Sequence, residues 1–337
     1  MKRTLFGLFA LVLLVTSLPA QKRYKPVDPQ ATREARQLLR YLYKLRGKVI
    51  LSGHHNYNHS LSQYSARLRE ITGEEPAIWG SDLSYLRADF GQAVVEEALR
   101  QHRSGHIITL MWHVGRPQDN PPYPWKESVQ AEMSPEEWEA LFDPDSEIHR
   151  RWLAQVDRIA PFLQQLQNEK VPVLWRPYHE MNGIWFWWGD KPGEDGYIRL
   201  WKALYERLVH HHQIHNLIWV WNANAPRDRE NDEAYAYADY FPGLDWVDVL
   251  AADVYHNDYR QVHHDQLVEM GEGKLMALGE IGKVPSPEIL DQQPLWSWFM
   301  IWATWEERIN SPEDLRTLYQ YPRTWNRDEA QPLKWVP

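Results

Sequence analysis

No cysteine occurs in the 337 residues. The chain therefore has no disulfide and no lipid-attachment thiol, and packing alone must hold its folded state together. An excess of positive charge is missing as well: 37 Lys and Arg stand against 46 Asp and Glu, for a net charge of -9. Nucleic acid and anionic membrane both require clustered cations, so neither is the expected partner. No G-x-S-x-G supports a nucleophilic serine, and no glycine-rich loop offers a cradle for phosphate. There are 15 histidines, yet "HEMNG" is not a zinc-protease helix, because position 183 is Gly where H-E-x-x-H needs its second His. His54-His55, His210-His212 and His263-His264 are adjacent rather than at helical metal spacing, and the latter two clusters are expected on solvent-facing helices. The expectation is no metal.

Long apolar runs are scarce. The N-terminal "MKRTLFGLFALVLLVTSLPAQ" has Lys2 and Arg3 ahead of an apolar stretch from Leu5 to Val15, with Ala20 as a small residue before cleavage. That stretch is too short to span a bilayer comfortably and reads as a secretory signal peptide. Residues 1–20 are thus expected to be removed, leaving 21–337 as one domain, secreted or periplasmic and free of the membrane.

Tryptophan, at 19 copies, is far above its ordinary usage. From residue 30 on, short apolar, β-branched or aromatic runs ending in polar residues alternate with helix-period stretches. The strand candidates are Val49–Gly53, Ala77–Asp82, Ile107–His113, Val171–Glu180, Leu217–Asn222, Val247–Tyr255, Lys274–Glu280 and Ser297–Thr304. Between them lie helical patterns such as "LSQYSARLREIT" and "IHRRWLAQVDRIAPFLQQLQ". "SPEDLRTLYQ" follows the eighth strand, with Ser311 as N-cap and Pro312 in the first helical position. Strand–helix alternation implies parallel pairing, and eight units imply closure into a single-domain α/β fold, a (β/α)8 TIM barrel. "TREARQLLRYLYKLRG" precedes the first strand and is expected to cover the N-terminal end or side of the barrel. The tail carrying Trp325 and Trp335 is expected to pack on the barrel.

Loops at the C-terminal ends of barrel strands build active sites. The residues at or just past those ends are His54, Asp82, His113, Glu180, Asn222, Asp253, Tyr255, Glu280 and Trp302. The long connections Val114 to Glu147 and Met181 to Glu194 are expected to wall the cleft. Glu180 and Glu280, from opposite sides of the barrel, can face each other across a sugar ring. Such a pair about 5–5.5 Å apart supports retaining glycoside hydrolysis, and a wider pair inversion. One glutamate needs a raised pKa to protonate the leaving oxygen, and the aromatic segment after Glu180 favours that residue. Arg176, taken to share a face with Glu180, can keep the other carboxylate ionised. Trp152 and Trp201 are expected to pack in helices. Trp185, Trp187 and Trp188 cannot all be core, so at least one should stack on a ligand.

"ITLMWHVGRP", "WRPYHEMNGIWFWWG", "AADVYH" and "ALGEIG", in this order, resemble glycoside hydrolase family 26, best known for β-1,4-mannanases. The likeness runs from "VILSGHHN" to "FMIWATW", nearly the whole mature chain. It implies a (β/α)8 barrel, catalytic glutamates after strands four and seven, hydrolysis with retention, and no cofactor. By position, Glu180 would be the acid/base and Glu280 the nucleophile. His113 and His179 would line the subsite of the scissile sugar, and Trp185 would stack on the leaving-group side. Tyr255 would hydrogen-bond the nucleophile, Arg176 would lie against it, and Trp302 would form a hydrophobic floor. The partner implied is β-mannan or manno-oligosaccharides, handled by a monomer. β-1,3-xylan and mixed-linkage glucan remain alternatives within the family, as do exo action, and outside it a non-catalytic carbohydrate-binding protein or a metal-dependent hydrolase.

Overall fold

The computed structural model describes residues 25–83 and 88–331. The signal peptide expected at 1–20 and Trp335 of the tail lie outside the described residues. Eight parallel strands close on one another: β1 (Ile50–Leu51 and Gly53–His55, interrupted at Ser52), β2 (Ile78–Asp82), β3 (Ile107–Trp112), β4 (Val173–Pro177), β5 (Leu217–Asn224), β6 (Val249–Val254), β7 (Leu275–Ile281) and β8 (Trp296–Ile301). Closure comes from β8 pairing with β1 through Leu51–Trp298 and His54–Ile301. The eight-stranded barrel read from the alternating pattern is the fold observed. A short ninth strand, β9 (Thr324–Trp325), adds to β1 in parallel, so the tail packs on the barrel through Trp325.

Side chains alternate along each strand between two cores. Leu51, Ile78, Ile107, Leu174, Ile218, Val249, Leu275 and Trp298 point into the barrel, where Ala35, Leu38, Leu39 and Leu42 of helix α1 (Arg33–Leu45) join them and close its N-terminal end. Their strand neighbours face outward, and Trp79, Trp112, Trp175, Trp219, Trp221 and Trp296 fill the layer between sheet and helices. At ~25 cal/mol per Å², each buried indole of about 200 Å² contributes ~5 kcal/mol before entropy is charged against it. With no disulfide available, this tryptophan layer is a principal source of stability. Trp152 of helix α5 (Glu147–Asn168) and Trp201 of helix α6 (Tyr197–Tyr205) pack into it as expected.

Helices α2 (Gln63–Thr72), α3 (Ala88–Arg103), α4 (Pro135–Ala140), α7 (Gln261–Gly271), α8 (Pro287–Gln292), α9 (Trp305–Arg308) and α10 (Pro312–Tyr319) complete the outer ring and its insertions. Ser311 caps α10 in a capping box with Asp314, as its sequence implies. One expectation fails in α7. His263 and His264 are buried rather than turned to solvent, paired with Asp258 and Asp265, with the His264 ring edge-on to Trp296. Nothing in the local pattern distinguishes these histidines from those at 210–212, because the burial comes from the neighbouring strand. Among the described residues, no helix is long and apolar enough to cross a membrane.

Candidate active site

Continuing the inward positions toward the C-terminal ends turns them from apolar to polar. Asp82 and Arg176 follow Ile78 and Leu174, and Asn222 and Asp253 follow Ile218 and Val249. The two glutamates that matter reach the mouth by breaking this alternation. In β7, inward parity through Leu275 and Ala277 would send residue 280 outward. The register with β6 slips after Ala252, pairing Asp253 with Glu280, and the bulge re-aims Glu280 inward. Gly279 is required there, since a Cβ would sit 1.9 Å from the Asn222 Oδ1. In β4 the strand ends at Pro177, short of the expected Glu180, and Tyr178 and Glu180 both take positive φ, 47° and 55°. The twist sends Tyr178 into the outer core against Trp152 and brings His179 and Glu180 to the cleft. Arg176 and Glu180 therefore do not share a strand face: Arg176 lies against Glu280 instead.

Both carboxyls are buried, and their partners differ. Glu280 accepts from the Tyr255 hydroxyl at 2.7 Å, and its other oxygen lies 3.5 Å from Arg176 and 3.5 Å from His179 Nε2. Arg176 is fully buried and donates to Asn222 at 2.6 Å and to the Gly279 carbonyl at 2.7 Å, which locks its fork. Glu180 accepts from the Trp185 indole N–H at 2.7 Å and from the Asn224 amide. Burial, and then the charge of Glu280, push the Glu180 carboxyl up to about 7. Burial pushes Glu280 up to about 7 as well, opposed by the charge of Arg176 and the Tyr255 hydroxyl. His179 is held neutral, its pKa pushed well down by burial and by His113 and Arg176.

His179, Asp253 and Glu280 bring possible ligand atoms within 4.8 Å of one another. The Arg176 guanidinium, 4.0 Å from Asp253 and 3.5 Å from Glu280, already supplies positive charge at that point.

The pair faces a cleft of ≈ 650 Å³ walled by His113, His179, Trp185, Phe186, Arg227, Tyr255, Trp302 and Trp305. A second lobe of ≈ 300 Å³ continues past His113, Trp125 and Trp302 to His55, Tyr57, Asn58, His59 and Asp82. The structure thus brings Glu180, Glu280, His113, Arg176, His179, Trp185, Tyr255 and Trp302 to one place. Trp187 and Trp188 are core, leaving Trp185 as the half-buried indole of that segment. His113 is bonded through Nδ1 to Asp82, and its ring meets that of His179 edge-on at 4.4 Å.

His54 does not line the cleft. It is buried with Nδ1 bonded to the His55 carbonyl at 2.8 Å, and His55 reaches the second lobe, stacked on Trp302 at 4.2 Å. Strict period-two counting from Leu51 would have selected His55, and counting past Asn222 would have found Asn224. Trp125 opens a short π-helical turn (Trp125–Val129) and Arg227 lies on a loop, and neither carries such a signal.

A closed parallel barrel with two buried carboxyls between aromatic walls at its C-terminal mouth is the arrangement of the barrel glycoside hydrolases. The chain belongs to glycosyl hydrolase family 26, whose profile matches residues 27–329. It is similar to the structure of GH26A from Muricauda sp., at 51% identity and a TM-score of 0.88, covering 90% of this chain and 99% of that one. It is also similar to the Podospora anserina GH26-CBM35 β-(1,4)-mannanase, at 31% identity and a TM-score of 0.78, covering 91% of this chain and 69% of that one. A mannan endo-1,4-β-mannosidase of Thermothelomyces thermophilus is 36% identical over 324 residues, 90% of this chain and 63% of the relative. The chain therefore spans less than two thirds of that relative's length.

Proposed function

We propose that the protein is a retaining endo-β-1,4-mannanase acting on mannan, galactomannan or glucomannan. The observation that carries the reading is the unequal bracing of the pair: Glu280 lies against a cation and accepts from a hydroxyl, and Glu180 accepts from an indole and an amide. Glu280 attacks the anomeric carbon while Glu180 gives its proton to the departing oxygen. Glu180 then takes a proton from water as that water displaces Glu280, which restores both groups. His113 and His179 border the sugar at the scissile bond, and Trp302 lies beneath it. The mannanase names of the relatives support the substrate, and the cleft running on past Trp302 supports internal cleavage. All the proposed groups come from one chain, so the site is complete within a single copy. The N-terminal segment supports export, with residues 1–20 removed and 21–337 as the catalytic domain.

Chromatography of early products from unbranched β-1,4-mannan tests this, with Glu280→Ala as control. A ladder of mixed oligosaccharides is the expected result. A single disaccharide from the outset would replace endo by exo action, and cleavage of only β-1,3-xylan or mixed-linkage glucan would move the substrate. Mannan bound but never cut would make the chain a binding protein.

The pH profile follows from the same pair. The alkaline limb of kcat/KM should fall near pH 7, where Glu180 loses the proton that the leaving oxygen needs. A limb at pH 9 or above would mean that Glu180 is not the acid.

A further inference from the structure

Arg227 borders the cleft but has no part in the chemistry described above. It lies on the loop that leaves β5 and returns at Tyr235, stitched to the Glu180 segment through Asn182, whose amide donates to the Asn224 and Tyr235 carbonyls, each at 2.8 Å. Asp232 grips the guanidinium through both of its oxygens, one at 3.0 Å, and His256 holds Asp232 in turn at 2.9 Å. The fork so fixed does two things. Its Nη1 donates to the Asn224 side-chain oxygen, and the amide of Asn224 donates to Glu180 Oε1. Its plane lies over the Trp185 ring, 5.1 Å from the centroid, and the Trp185 N–H donates to Glu180 Oε2. The Trp185 benzo ring also rests against Gly183, where a Cβ would approach to 2.2 Å. Arg227 thus reaches each oxygen of Glu180 through one intermediary.

We propose that Arg227 is a positioning residue for proton delivery to the leaving oxygen, aiming the Glu180 carboxyl through Asn224 and Trp185; this rests on the mannanase reading. Orientation of Asn224 is decided by Arg227, because the guanidinium only donates and so compels the amide oxygen toward itself and the NH2 toward Glu180. The indole is fixed by cation–π contact rather than by a ligand. A neutral residue at 227 frees both intermediaries, and the glutamate loses its two aimed donors while keeping its burial. Its positive charge also opposes the burial that raises Glu180.

The test uses the full chain with Arg227→Ala, Arg227→Lys and Trp185→Phe, on mannan and on an aryl β-mannoside with a nitrophenolate leaving group. Arg227→Ala should lower kcat on mannan about 10- to 100-fold and kcat on the aryl glycoside less than about 3-fold, since nitrophenolate departs with little protonation. Its alkaline limb should move up by about half a pH unit or more, because a cation near the carboxyl has gone. Arg227→Lys, which keeps the charge but not the planar fork, should restore the limb without restoring kcat on mannan. Losses for Arg227→Ala and Trp185→Phe should combine to less than their product, because both act on one carboxyl. Equal losses on the two substrates with an unmoved limb would leave Arg227 a merely structural residue and overturn the proposal. If Arg227→Ala does not fold, an unmoved substrate ratio in Arg227→Lys overturns it equally. Failure of the mannanase reading is distinct: the unaltered protein would then leave both substrates intact.

Discussion

Glu280→Ala should lower kcat on mannan by at least about 10⁴-fold, equivalent to about 5.5 kcal/mol of lost barrier reduction, and shift mannan affinity no more than a few-fold. The loss should hold for every substrate, since no glycosyl-enzyme can form however good the leaving group is. Binding should persist because the walls of the cleft, Trp185, Trp302 and Trp305 among them, do not depend on Glu280 for their positions. Glu280→Gln is the safer companion variant, as it leaves the buried Arg176 a hydrogen-bond acceptor at a site it shares with Asp253. A second effect distinguishes this from simple damage. The charge of Glu280 is one of the causes that raise Glu180, so in Glu280→Gln the Glu180 carboxyl should titrate below its value of about 7 in the unaltered protein. Carbon-detected NMR of the glutamate carboxyls would read this directly. An unchanged Glu180 titration would mean that the two carboxyls do not sense each other and that the pair is not the catalytic unit.

For Glu180→Ala the size of the loss should depend on the leaving group. On mannan, about 10²- to 10⁴-fold is expected, the usual worth of a positioned general acid. On a nitrophenyl glycoside the first step needs little protonation, so a burst of nitrophenolate should precede slow turnover as glycosyl-enzyme accumulates without its base. Azide, which attacks without losing a proton, should relieve the slow step and yield a glycosyl azide with retained configuration. Steady-state kinetics with and without azide give the answer. Equal losses on both substrates, with no burst and no azide effect, would reject the acid/base role. The variant also frees the Trp185 N–H and the Asn224 amide, so its ground-state binding on the leaving-group side can change while the opposite lobe stays intact.

Much of this protein is legible in its sequence because barrel physics is periodic. Inward and outward positions alternate, helices follow strands, and polar residues at strand ends must converge when eight strands close. That reasoning reaches Glu180, Glu280, Tyr255 and Trp302 from residue types and spacing. Other positions escape it for different reasons. The strand-end expectation at His54 misses His55 by one register step, although strict alternation from Leu51 points to His55, and the burial of His263 and His264 depends on a β-strand that their helix does not contain. Periodicity itself breaks in β4: extending the strand three residues beyond its end puts Arg176 on the Glu180 face, whereas the positive φ at Tyr178 turns the chain and leaves Arg176 to Glu280.

The closed barrel, the packing of Trp152 and Trp201 from its helices, and the convergence of two glutamates on one mouth follow from the residue pattern alone. The strand tryptophans that fill the layer between sheet and helices, and the way those glutamates differ, follow from packing. A bulge at Gly279 aims Glu280 at a locked arginine, and a left-handed turn aims Glu180 at an indole and an amide ordered by Arg227. The physical reason is that a pKa and a side-chain direction depend on neighbours about a hundred residues away in sequence, or across an irregular loop, and no local pattern encodes either.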